Sequence, residues 1–319
     1  DPGCGIGAAC AAHGLTCAAV TADALPCDRR SDAVAVACAV IRANCHNLRA
    51  LEAGARMGLD AEYVHEMRVA ARRMRAALRM FAAAFEREPR ARLNAELRWA
   101  GGLLAEVRDL DVYIEAVPHY LSYIEADLDD YAFFLDELRD KRQRARNAML
   151  AALDSPRYAA FLKRIEDFVT APPAGGAPLD LVTMASAGLK EFAAEVLDDD
   201  GRVASDQDLH DLRISFKRLR YAVEFLKGLS PKRMARVAKT AAKYQDILGR
   251  FNDAGVACQN VRQAVAREGR DRMEVFLLGY LYACQRLRGI ETRGEFLRLW
   301  RGKGPGKLAA AVAAAREKL

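Results

Sequence analysis

The stretch Val64-His65-Glu66-Met67-Arg68-Val69-Ala70-Ala71-Arg72-Arg73-Met74-Arg75 recurs in kind 145 positions later. There it reads Leu209-His210-Asp211-Leu212-Arg213-Ile214-Ser215-Phe216-Lys217-Arg218-Leu219-Arg220. Both copies run apolar, His, acid, apolar, Arg, three intervening residues, two basic residues, apolar, Arg. At about 100° per residue on a helix, His65, Arg68, Arg72 and Arg79 share one narrow sector, with Arg75 at its border. Val64, Met67, Ala71, Met74, Leu78 and Phe81 occupy the adjoining sector. The second copy repeats both stripes. His210, Arg213 and Lys217, with Arg220 at the border, lie beside Leu209, Leu212, Phe216, Leu219, Val223 and Leu226. Each copy therefore reads as a helix with an anchoring face and a cationic face. Arg73 and Arg218 sit off the stripe. A repeat that keeps one histidine and four basic positions implies a duplicated fold with a shared cationic site.

A charged helical face is ordinarily a solvated one, and it ordinarily mixes signs, because Glu–Lys pairs one turn apart are stabilising. Here five arginines between His65 and Arg79 meet one acid, Glu66. Like charges one turn apart cost roughly 0.2–0.5 kcal/mol per pair. A chain that builds such a face twice is expected to have an anionic partner. The two histidines, each one turn before an arginine, fit hydrogen bonding to an anion, with added charge when protonated. No nucleophile is matched to them, so neither reads as a general base, and no catalytic residue is expected.

Composition agrees with a helical protein. The 319 residues can bury a large core as one domain or two. They are rich in Ala, Leu, Arg and Glu, all strong helix formers, and period-two alternation is hard to find. The net charge of +6 is moderate. Its distribution is more telling: residues 106–140 hold eleven acids, so the basic excess lies elsewhere and concentrates at the paired helices.

No apolar run is long enough to span a membrane, since Ala33 to Ile41 stops at Arg42. The first residues lack a basic n-region, which argues against a signal peptide. Cys4, Cys10, Cys17 and Cys27 lack the close spacing of common zinc sites, and no metal or other cofactor is expected. Cys38, Cys45, Cys258 and Cys284 fall in helical patterns as small core residues. This usage suits a reducing cytoplasm.

Along the chain, residues 1–30 form a leader or linker of unknown role. A first helical set covers 31–170, with helices over Asp32 to Leu51, from Asp60 to before Pro89, Ala91 to Val117, Leu121 to Leu153, and Pro156 to Thr170. Residues 171–178, Ala-Pro-Pro-Ala-Gly-Gly-Ala-Pro, are a linker. A second set covers 179–301. Its motif helix starts after a capping box at Ser205 and Asp208, and another helix starts at Pro231. Gly302 to Gly306 then break the chain before a short tail, 302–319.

The duplication runs past the motif helices. Leu104 to Val112 parallels Leu248 to Val256 at an offset of 144, with Arg98 and Lys243 upstream, one residue out of register. Asp109 and Asp253 read equally as acceptors that orient nearby arginines and as ordinary polar residues at helix ends.

These features together resemble the CHAD domain family, the conserved-histidine α-helical domain. The resemblance rests on the two His-x-x-Arg-x-x-x-basic-basic-x-Arg helices, on Arg108-Asp109 and Asn252-Asp253, and on Tyr221 after Arg220. It spans roughly residues 31–301. It implies an all-α fold of two pseudo-symmetric antiparallel bundles of about four helices each, around a basic central cavity. It also implies binding of inorganic polyphosphate and association with polyphosphate granules, with no catalysis. The residues expected to bind are His65, Arg68, Arg72, Arg73, Arg75, Arg79, Arg98, His210, Arg213, Lys217, Arg218, Arg220 and Lys243. Glu224 occupies the place equivalent to Arg79, so the symmetry is incomplete there. No Glu-x-Glu-x-Lys signature of the triphosphate tunnel domain, which many members carry upstream, is found in these residues.

The implied ligand suits the residues. Polyphosphate is a flexible polyanion with no base to read, and the planar fork of arginine can grip two phosphate oxygens. Gly302-Lys303-Gly304-Pro305-Gly306-Lys307 is followed by Leu308, not Ser or Thr, so it is no P-loop. Aromatics are not interleaved with the basic stripe except at Tyr221, which argues against stacking of nucleic-acid bases. Two alternatives remain: a nucleic-acid-binding helical protein, which would need a long exposed basic face, and a polyphosphate-processing enzyme, which would need clustered carboxylates or a nucleophile.

Overall fold

The structure, a computed structural model, describes residues 27–58, 60–123, 125–170, 180–197, 205–317 and 319. Cys4, Cys10, Cys17, most of the leader, the 171–178 linker and nearly all of the loop before Ser205 lie outside them. The described residues fold as helices: α1 (Ala33–Met57), α2 (Ala61–Met80), α3 (Arg87–Tyr123), α4 (Ala132–Leu153), α5 (Pro156–Thr170), α6 (Leu181–Leu197), α7 (Asp206–Phe225), α8 (Pro231–Val265), α9 (Arg272–Arg301) and α10 (Gly304–Arg316). The fold is all-α.

Local chemistry sets the helix ends. Asp32 caps α1 by accepting from the Ala35 amide at 3.2 Å. Gly58 closes α1 in the left-handed region, φ +71°, where its amide reaches the Gly54 carbonyl. A Cβ at Gly54 would strike the Tyr63 ring, so this glycine lets α2 fold back closely on α1. Asp60 caps α2, accepting from the Glu62 amide at 2.8 Å. The expected capping box begins α7: Asp208 N–H donates to Ser205 Oγ at 3.1 Å, and Ser205 N–H to Asp208 Oδ2 at 2.8 Å.

The apolar stripes are buried as their spacing requires. Val64, Met67, Ala71, Met74 and Leu78 of α2 go into one core with Leu209, Leu212, Phe216, Leu219 and Val223 of α7. In the second half, Phe216, Tyr244, Phe296 and Trp300 form an aromatic cluster, with the Tyr244 and Trp300 rings 5.0 Å apart edge to face. Motif helix α2 packs directly on motif helix α7. The long helices α3 and α8 extend beyond them. Their far ends meet in a second core, with Tyr113, Val117 and Leu121 from α3, Ala257 and Val261 from α8, Phe134 and Leu138 from α4, and Leu278 and Leu281 from α9. The halves thus touch at two separated places and leave space between.

Three elements differ from the sequence expectation. The single helix expected over Leu121 to Leu153 is interrupted, because Asp127 folds its carboxylate back to the Asp129 amide at 3.1 Å and a 3-10 turn, Asp129–Tyr131, precedes α4. Helix α3 runs through Pro118 to Tyr123 instead of stopping at Val117, since Tyr120 and Leu121 are held in the second core. The expected tail contains a packed helix: α10 buries Leu308, Ala311, Val312 and Ala315 against α6 and α8. Among the described residues, each set therefore contributes five helices. Among the described residues, no helix is long and apolar enough to cross a membrane.

Candidate functional site

Space between the two contact regions forms a cavity of about 1010 Å³. The repeat period explains why both halves line it. Helices α2 and α7 each run 20 residues, starting 145 positions apart, so their cationic stripes have the same phase. Each buries its apolar stripe in the shared core, which turns the cationic stripes toward the cavity. His65, Arg68, Arg72, Arg75 and Arg79 of α2 line it together with His210, Arg213, Lys217 and Arg218 of α7. Helix α3 adds Arg87, Arg90, Arg98, Arg108 and Asp109, and α8 adds Asn252 and Asp253. Among the described residues, eleven Lys and Arg side chains thus face two carboxylates across one half-open space. That ratio is opposite to a normal solvated surface.

Some of this charge is answered and some is not. Arg68 Nη2 lies 3.4 Å from Asp109 Oδ1, and Arg108 Nη2 lies 3.9 Å from Glu62 Oε2. Arg79 pairs with Glu191 and Glu195 of α6, and Arg218 lies 3.2 Å from Glu195. By contrast, no ion pair is formed by Arg72, Arg75, Arg87, Arg90, Arg98, Arg213 or Lys217 among the described residues; Arg75 donates instead to Asn94 Oδ1 at 3.2 Å. The buried Nε groups of Arg68, Arg90, Arg108 and Arg213 have no hydrogen-bond partner among the described residues. Buried donors left unmet are costly, and their concentration around one cavity fits a site that expects acceptors from outside the chain.

Crowding and burial shift the titratable groups. Burial, then Arg213, Arg72 and Arg68, push the Lys217 amine down to about 7. Burial, then Arg108, Arg68, Arg72 and Lys217, push His65 down to about 4. Arg68 falls to about 10 through burial and the nearby Arg72, partly opposed by Asp109. Burial also lowers Arg213 and Arg75, and Asp253 partly offsets the shift at Arg213. Groups from α2 thus perturb groups on α7, as expected when the two stripes share one low-dielectric space. His210 is held by its Nδ1, 3.0 Å from Asn252 Oδ1.

Three residues expected in the site do not line the cavity. Arg73 lies 3.2 Å from Glu224, and Arg220 lies 3.3 Å from the same carboxylate. Their off-stripe and border positions point them to the seam between α2 and α7. Lys243 is exposed on α8. Helices α3 and α8 start 144 positions apart, so the counterpart of Arg98 is Ala242, and Lys243 is turned about 100° away.

Conversely, Arg87, Arg90 and Arg108 line the cavity and were not singled out as binding residues. Arg108 stood in the quoted repeat segment. Arg87 and Arg90 lie at the start of α3, and only knowledge of where α3 crosses the motif helices brings them in. Tyr113 and Tyr120 wall the far end; burial raises both phenols. Glu62, His65 and Glu66 place three ligand-type atoms within 4.8 Å of one another. They share one helical face beside Arg108, where a cation would compete with a guanidinium.

Cys27, Cys45 and Cys258 are buried, and Cys27 packs against Gly228 beyond the end of α7. Burial pushes the thiols of Cys27, Cys38, Cys45, Cys258 and Cys284 up, away from nucleophilic chemistry.

A family model described as the CHAD domain matches residues 39–262. A crystal structure of the CHAD domain from the plant Ricinus communis is similar with a TM-score of 0.71 and 25% identity, covering 92% of this chain and 96% of that one. PptA from Streptomyces chartreusis is similar with a TM-score of 0.68 and 22% identity, covering 85% of this chain and 100% of that one. No curated relative matches the chain.

Proposed function

The chain belongs to the CHAD domain family, and from that premise we propose that it binds inorganic polyphosphate, without catalysis, in the cavity between α2 and α7. The observation that carries this reading is the lining of eleven cationic side chains against two carboxylates, seven of the cations having no ion pair among the described residues. A polyanion threaded through this space would supply acceptors to the unmet Nε groups and replace like-charge repulsion by charge-assisted hydrogen bonds. Arg68, Arg72, Arg75, Arg90, Arg98, Arg213 and Lys217 grip phosphate oxygens, and His65 and His210 donate from the start of each motif helix. Asp109 and Asp253 orient Arg68 and Arg213 and keep the guanidinium groups apart. The ligand needs no sequence code, which suits a wall of arginines with few stacking aromatics. A chain of phosphates longer than the cavity would leave part of itself outside, so the bound protein would travel with polyphosphate granules in the cytoplasm.

The test is competition. Labelled polyphosphate bound to the protein should be displaced by unlabelled polyphosphate and left in place by duplex DNA at equal phosphate concentration. Its affinity should fall steeply with salt, because released counterions drive the association. Equal displacement by DNA would favour a general nucleic-acid surface. Release of inorganic phosphate in the presence of magnesium would make the protein an enzyme and overturn the non-catalytic reading.

A further inference from the structure

Helix α9 is apolar on two opposite faces. One face serves the protein's own cores: Leu278, Leu281 and Phe296 are fully buried, and Trp300 is nearly so. The opposite face lies in solvent. Met273, Val275, Phe276, Tyr280, Leu287 and Ile290 are six of the ten exposed large apolar side chains among the described residues; all six lie on this helix, and all but Val275, which sits on its flank, fall on the opposite face. The concentration matters because scattered exposed apolar residues are ordinary, whereas a contiguous patch is not.

The stripe also has a period. Met273, Phe276, Tyr280, Ala283, Leu287, Ile290 and Gly294 alternate spacings of three and four. That is a heptad seam, the pattern of helices that pack side by side. It spans 22 residues, roughly 33 Å of helix. Phe276 is 68% exposed, Met273 63% and Leu287 60%.

We propose that this face of α9 pairs with the same face of a second copy of the chain, making a two-fold dimer. Three features point to a second copy as the occupant. The stripe is complementary to itself: in an antiparallel pair Tyr280 lies against Ala283, Phe276 against Leu287, and Met273 against Ile290, so large side chains meet small ones and medium ones meet each other. The flanking charges do not obstruct it: Arg286 and Arg293 reach toward Asp206 of α7, at 4.0 and 3.8 Å, and the exposed Arg272 and Glu291 at the edges of the stripe fall opposite one another in the antiparallel pair. The area is sufficient: the exposed parts of the five large side chains on the stripe amount to roughly 600 Å², at the upper end of the largest patch a typical monomer leaves open. Two copies together would bury on the order of 1,200 Å², which reaches the lower range of specific interfaces. An isologous contact of this kind closes on itself and leaves no sticky surface. The inference does not depend on what the cavity binds.

Sedimentation equilibrium of the full chain tests it, read against the monomer mass of 35.1 kDa. The wild-type chain should approach twice the monomer mass as its concentration rises through the micromolar range. The variant Phe276→Glu/Leu287→Glu should stay at the monomer mass over the same range. Both side chains are mostly solvent-exposed, so the variant should keep its helical circular dichroism and its polyphosphate affinity. A wild-type chain that remains monomeric at hundreds of micromolar overturns the proposal, and so does a folded variant that still dimerises. Should the double variant lose its fold, Ala283→Arg, at the small position opposite Tyr280, reads the same contact with a milder change.

Discussion

Arg73 of α2 and Glu224 of α7 are 3.2 Å apart, and theirs is the one ion pair that joins the two motif helices among the described residues. Glu224 stands where the repeat would place a partner for Arg79, so the duplicated motif has traded a cation for an inter-helix tie. The same carboxylate receives Arg220 at 3.3 Å. Replacing it, Glu224→Gln, leaves two half-buried guanidinium groups without their acid. We expect a loss of about 1 kcal/mol of stability, at the upper end for pairs that solvent still reaches. Polyphosphate affinity should be kept or slightly raised. Denaturant unfolding and a binding titration check both; a variant with full stability and lost binding would move Glu224 into the site.

The two cationic stripes should contribute jointly. Arg68→Ala/Arg72→Ala and, separately, Arg213→Ala/Lys217→Ala should each weaken polyphosphate binding at least about tenfold, since charge-assisted contacts are worth roughly 1.5–3 kcal/mol before screening. The quadruple variant should nearly abolish it. Folding should survive, because these side chains point away from the apolar stripes and their mutual repulsion is relieved. If the α7 pair can be removed without effect while the α2 pair cannot, the halves do not share a ligand.

Binding should take up protons. Lys217 gives up its proton near pH 7 in the folded chain, against an ordinary value of 10.5. A bound polyanion stabilises the charged amine and returns its pKa upward. Affinity should therefore fall as pH rises from 7 toward 9, and Lys217→Arg, which stays charged, should flatten that slope. Calorimetry at pH 8 in two buffers of different ionisation enthalpy would reveal the uptake; none at all would count against Lys217 as a contact. The ligand-free chain behaves oppositely. Its unfolded state holds the Lys217 proton more tightly, so stability should rise between pH 7 and 10.5. His65 contributes in the same sense between about 4 and 6.5.

Much of this was legible in the sequence because helical period and repeat period act together. The 100° advance separates Met67 and Met74 from Arg68 and Arg72, and copying that phase 145 positions on leaves the second stripe little choice of direction. What escaped was whatever depends on one helix crossing another. Arg87 and Arg90 have no motif of their own; they enter the cavity because α3 passes beside α2 there. The break before α4 turns on a local carboxylate–amide bond at Asp127, which a charge-rich helical pattern conceals. The packing of α10 was hidden by glycines that look like a terminus, yet Gly304 itself is buried against Trp300 and Tyr244.

Register provides the sharpest remaining test. Arg98 and Lys243 look equivalent when the motif offset of 145 is applied, but α3 and α8 keep an offset of 144, and one residue on a helix is about 100° of rotation. The difference sends Arg98 into the cavity and leaves Lys243 exposed outside it. Both are single positive charges on long helices of similar length, so a binding mode governed by overall charge would respond to the two alike. A binding mode governed by the cavity would not. Arg98→Ala should weaken polyphosphate binding several-fold, as should Arg90→Ala, whose buried Nε has no partner among the described residues. Lys243→Ala should leave affinity within about twofold, the effect of one distant and screened charge. Equal losses at Arg98 and Lys243 would place the polyanion on the outer surface of the bundle and refute the cavity as its site.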